Sequence, residues 1–206
     1  MKNRKITSTA ILLIVSWMFF CWLAMQLLHE IGHLLAAWWC GAEVVQFHFG
    51  LLTISHTMLN DSGQTAGTLL MVTWAGPIVG MLLPLLLWGT AAMVRCQETF
   101  LIRFLAGFCL VANGCYLLFG PSDGFADTGV LLVHGATRWQ LILVGLIGMI
   151  SGFFIWNNQG NDFGIGKNPK LVGKRSLCLS LTALGSMILF AVIWGFVGAG
   201  IHGSSF

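Results

Sequence analysis

Long stretches without a single formal charge set the limits on what this chain can become. Ile6 to His29, Ser62 to Val94, Phe104 to Ser122, Trp139 to Asn161 and Ser176 to Phe206 contain no Asp, Glu, Lys or Arg. Each can supply the roughly 20 apolar residues that cross a bilayer as a helix. A chain in lipid must satisfy its own backbone hydrogen bonds, so a helix is the form such a segment takes. Of the 206 residues, 57% are hydrophobic and only 8% charged, far from the mix of a water-soluble domain. The expectation is an all-α integral membrane bundle of about five transmembrane helices, near 9–39, 71–94, 101–119, 138–156 and 177–200. The basic start, Lys2, Arg4 and Lys5, raises a cleaved signal peptide as the alternative for the first span, but the apolar run behind it is too long.

Charge placement then orients the bundle. With the N-terminus in the cytoplasm, nine of the ten basic residues fall on that side: Lys2, Arg4, Lys5, Arg95, Arg103, Lys167, Lys170, Lys174 and Arg175, against Arg138 alone. The positive-inside rule predicts a multi-pass protein of the cell membrane, N-terminus in and C-terminus out, and an even number of spans spoils the partition. The net charge of +3 comes from these flanks. No basic and aromatic groove suggests nucleic acid, and the lipid bilayer with its anionic headgroups is the natural counter-charge. Cys21, Cys40, Cys96, Cys109, Cys115 and Cys178 show no C-x-x-C spacing and read as small packing residues.

Residues 1–206 read as a single domain without repeats. Gly41 to Gly67 is too polar to span, and it alternates in part through Val45, Phe47 and Phe49, then Thr53, Ser55 and Thr57, around Gly50. That pattern predicts a small β-hairpin at the membrane face, between the first and second helices. Asn157 to Arg175, rich in Gly, Asn and Lys, predicts a flexible cytoplasmic loop.

Positions 29 to 33 read His29-Glu30-Ile31-Gly32-His33 inside a helical run. Residues four apart share a helix face, so both imidazoles can reach one tetrahedral Zn2+ while Glu30 stands beside it. Metal-assisted hydrolysis needs that arrangement: zinc brings the pKa of a bound water toward neutrality, and a carboxylate takes its proton as the water attacks a carbonyl. With six His and three Glu in the chain, composition alone produces the pattern by chance in roughly 1 of 400 such sequences. Gln26 lies on the same face and suits either an interhelical hydrogen bond or a supporting role in the site. Gly76 and Gly80 form a small-xxx-small pair that lets the second helix approach the first.

Two histidines leave one protein ligand to find. Asp123 and Asp127 follow the third span, on the same side as the end of the first, whereas Glu98 and Asp162 fall in the cytoplasm. Asp123, within Pro121-Ser122-Asp123-Gly124, also suits a helix cap, and the residues alone leave the two aspartates open. His48, His56, His134 and His202 lack ligand spacing and read as interfacial or loop residues.

With these residues in hand, the chain resembles the site-2 protease family of intramembrane zinc metalloproteases. HEIGH followed by Leu34-Leu35-Ala36-Ala37, Ala75-Gly76-Pro77 in the second helix, and an Asp-containing loop after the third carry the likeness, over about three quarters of the chain. It looks like a small, minimal-core member without a PDZ-like domain. The resemblance implies an Asp as third zinc ligand. Asp123 has the following Gly of the family's signature, whereas Asp127 leads into an apolar run as the family's Asp leads into a helix, which favours Asp127 narrowly. The resemblance matches Asn113, at a spacing to Pro121 that departs from the family's, to a polar residue that steadies the substrate backbone; a plain interhelical hydrogen bond is the alternative.

The function expected is zinc-dependent cleavage of a peptide bond within or beside the membrane, in a single-span membrane protein. Glu30 would be the general base and the electrostatic partner of the tetrahedral intermediate. A catalytically silent scaffold or transporter-like homologue is one rival class, and a membrane metallohydrolase that is not a protease is another. Glu43 to Thr57 is expected to present substrate by strand addition, since a helical peptide bond must be extended before it is cut.

Overall fold

The computed structural model describes residues 6–60, 62–123 and 126–202. Helix α1 spans Ser8–Cys40, strand β1 Val44–His48, strand β2 His56–Leu59, α2 Ala66–Met93, α3 Thr99–Asp123, α4 Ala126–Val133, α5 Arg138–Trp156 and α6 Lys174–His202. Five of these helices are long and apolar enough to cross a membrane: α1, α2, α3, α5 and α6.

Local chemistry explains where the elements begin and end. Thr7 caps α1 by accepting from the Ala10 amide, and Thr65 caps α2 by accepting from Thr68. Thr137 and Gln140 form a reciprocal capping box at the start of α5. Helix α1 stops at Gly41, whose φ of 68° lets the Ala42 amide turn back onto the Ala37 carbonyl.

Packing follows small residues. Along α3 and α5 the backbones meet at Gly114 and Gly145, where a Cβ on Gly145 would stand 2.7 Å from the Gly114 carbonyl oxygen. One buried cluster joins Leu13, Trp17, Cys21 and Ala24 of α1 to Leu101, Leu105 and Cys109 of α3. Another joins Met81 of α2, Leu110 and Leu117 of α3, Leu131 of α4 and Leu141 of α5. Helix α6 lies against α1 through the Ser16–Ser180 hydroxyl pair at 2.7 Å, and Ala191 meets Leu23 and Phe49.

Two expectations are corrected here. The hairpin forms between α1 and α2, but β2 starts at His56, so Thr53 and Ser55 belong to the connection and not to a strand. Their polar groups are spent locally: Ser55 Oγ accepts from the Gly50 amide, and Thr53 Oγ1 lies 3.2 Å from His48 Nε2. The segment from Asn157 to Arg175 is not a loose loop. Phe163 is buried between α1 and α3, and Arg103 donates to the carbonyls of Ile155 and Asn157, tying the end of α5 to α3.

Candidate metal centre

The site is built on the C-terminal third of α1. His29 and His33 project from one face, ring centroids 4.9 Å apart and roughly perpendicular. Asp127, in the first turn of α4, places Oδ2 2.9 Å from His29 Nε2 and 3.2 Å from His33 Nε2. Among the described residues this is the one group of three or more metal-ligating side chains, with ligand atoms all within 4.8 Å of one another. A tetrahedral zinc with bonds of about 2.0–2.1 Å spaces its ligands roughly 3.3 Å apart, so the group has the size the ion needs.

Each histidine is fixed by its other nitrogen. Asn113 donates through Nδ2 to the Cys109 carbonyl, which turns Oδ1 toward His29 Nδ1 at 2.7 Å. His33 Nδ1 lies 2.9 Å from the Val72 carbonyl. An amide oxygen and a backbone carbonyl can only accept, so both Nδ1 atoms carry a proton and both Nε2 atoms turn inward, where each donates to Asp127 or, once deprotonated, is free to ligate. Asn113, with 1% of its surface exposed, therefore reaches the site as the orienting partner of His29.

Asp127 is held by its own backbone. Its amide donates to the Tyr116 hydroxyl at 3.0 Å, and the Tyr116 ring meets His29 edge-on. Ala126, just before it, has a φ of 49°. An L-residue pays about 1–2 kcal/mol for that left-handed conformation, held here at the first residue of α4. Thr128 and Leu131 are fully buried and seat α4 on the bundle. Burial pushes the Asp127 carboxyl up, but hydrogen bonds and charge from His29 and His33 outweigh it and hold the group below the usual carboxylate range. It is ionised at neutral pH, as a ligand must be.

Close helix contact shapes the floor. A Cβ on Gly32 would stand 2.8 Å from the Ala75 carbonyl carbon, and one on Gly76 would run into the His33 ring and stand 2.9 Å from His29 Nε2. Gly76 thus faces the imidazoles. Gly80, expected to serve the same contact, faces α3 instead, where its Cβ would meet Asn113.

Glu30 points to the hairpin side. It is 4% exposed, and Oε2 accepts from Thr57 Oγ1 at 2.7 Å. One turn earlier Gln26 Oε1 accepts from the Ser55 amide at 2.9 Å, while Gln26 Nε2 is buried with no partner among the described residues. The structure thus brings His29, Glu30, His33, Asn113 and Asp127 to one place and sets Gln26 beside them. The side chain of Asp123 lies outside the described residues. Tyr116, Thr57 and the Val72 carbonyl were not anticipated. Tyr116 had a signal, since it is the chain's single tyrosine and stands one turn after Asn113. His48 and His56, read as interfacial or loop residues, stand in the two strands, directly opposed across the hairpin with rings stacked at 5.1 Å. No protein-family model, curated protein or solved structure matches the chain.

Proposed function

We propose that the chain is a multi-pass membrane zinc peptidase of the site-2 protease type. One observation carries the reading: two inward Nε2 atoms and a carboxylate converge on a point beside Glu30, with both imidazoles held by Asn113 and Val72 so that Nδ1 is engaged outside and Nε2 is left for a metal. Two imidazoles and one carboxylate leave a fourth position open, the arrangement of catalytic rather than structural zinc. Bound there, zinc supplies an acidified water and polarises the carbonyl to be attacked. Glu30 takes the proton on the oxygen that Thr57 does not occupy, and its burial among helices keeps bulk water from competing. The hairpin beside Glu30 offers an extended backbone for a peptide to pair with, which supports a peptide over a lipid as substrate.

The test measures zinc per chain and cleavage of single-span membrane proteins co-expressed with it. Asp127→Ala should lose zinc while Asp123→Ala retains it, and Glu30→Gln should retain zinc and lose cleavage. Zinc retained in Asp127→Ala would remove the ligand set. Full cleavage by Glu30→Gln would remove the hydrolase. Zinc held by a wild type that cleaves none of these proteins would favour the silent scaffold.

A further inference from the structure

The hairpin and α1 are joined at two points whose spacings match. Gln26 and Glu30 are four residues apart on a helix, about 6 Å along its axis. Ser55 and Thr57 are two residues apart at the entry to β2, about 6.6 Å where the chain is extended. The Ser55 amide meets Gln26 and the Thr57 hydroxyl meets Glu30, so this chain lies along α1 in register.

We propose that Thr57 is a positioning residue for Glu30, through which the hairpin sets the carboxylate that takes the proton; this rests on the zinc peptidase reading above. A carboxylate at the end of a three-bond side chain has several rotamers, and a hydroxyl bonded to one oxygen selects among them. Thr57 does this from an element that is itself held on its far side. Phe47 is its register partner, and the Phe47 carbonyl accepts from Trp194 Nε1 of α6 at 3.1 Å. A continuous set of contacts therefore runs from α6 through both strands to Glu30.

The experiment uses the full chain purified in detergent, with Thr57→Val to remove the hydroxyl at constant shape and Thr57→Ser to keep it. Thr57→Val should retain zinc and lose about 10–100-fold in kcat, the range for partners that orient a metal site, with KM within about twofold. Thr57→Ser should recover most of the rate. Independently of activity, hydrogen exchange at residues 56–59 should rise in Thr57→Val and in Glu30→Ala, and rise no further in the double variant. Wild-type kcat in Thr57→Val, or exchange effects that simply add, would overturn the proposal. If no form cleaves any substrate, the peptidase reading falls while the exchange cycle still decides whether Thr57 and Glu30 act as one unit.

Discussion

At the scale of single residues, the candidate site divides into groups that could hold a metal and groups that aim them. Asn113 belongs to the second. Asn113→Ala removes the acceptor from His29 Nδ1, and zinc affinity should weaken about 10–100-fold, measured by competition with a chelator of known affinity. Gly76→Ala should fail more completely, because its methyl group would run into the His33 ring and press on His29 Nε2, the two imidazoles the site is made of. Zinc content near zero with helical circular dichroism preserved is the expected result, and normal zinc would mean that the two helices part easily. His29, Glu30 and His33 were legible because four-residue spacing is a property of any helix. Asp127 was legible only as one of two aspartates, since its position depends on the left-handed turn at Ala126. Thr57, Tyr116 and Val72 were illegible because each acts on a residue far away in the chain, and no local pattern encodes such a contact.

Among the elements, the hairpin is where reading by periodicity went partly astray. Val45, Phe47 and Phe49, then Thr53, Ser55 and Thr57, alternate as two strands should, yet only Val45, Phe47 and Thr57 lie in strands. Short alternating runs do not separate a strand from a connection whose polar groups bond at home. The difference changes what proline should do. At Phe47, opposite Thr57, it removes a backbone donor and disturbs the pair, so cleavage should fall about tenfold or more with zinc unchanged. At Thr53, in the connection, it should be tolerated within about twofold. Equal losses at both positions, assayed on one reporter substrate, would argue against substrate pairing along the strands. The connection from Asn157 to Arg175 shows the opposite error. Its composition is that of a mobile loop, yet Phe163 supplies an apolar anchor that only the folded bundle reveals as buried.

For the whole molecule, the count and order of long helices follow directly from the charge-free stretches, because lipid leaves the backbone few alternatives. Which side each end occupies is a separate proposal from basic residues. Reporter fusions after Arg95 and Lys174 should read cytoplasmic, and fusions after Gly41 and Phe206 the opposite face. A cytoplasmic C-terminus would mean that one of the five helices does not cross. On this orientation His29 lies about 30 Å along α1 from Ser8, nearer the outer face than the cytoplasm. The contact between α1 and α2 adds a rule for recognising similar chains. His-Glu-x-x-His leaves its fourth letter unspecified, yet here a methyl group at Gly32 would press on the Ala75 peptide, and Gly76 gives the imidazoles their room. Chains sharing this architecture should carry His-Glu-x-Gly-His together with a second glycine on the facing helix.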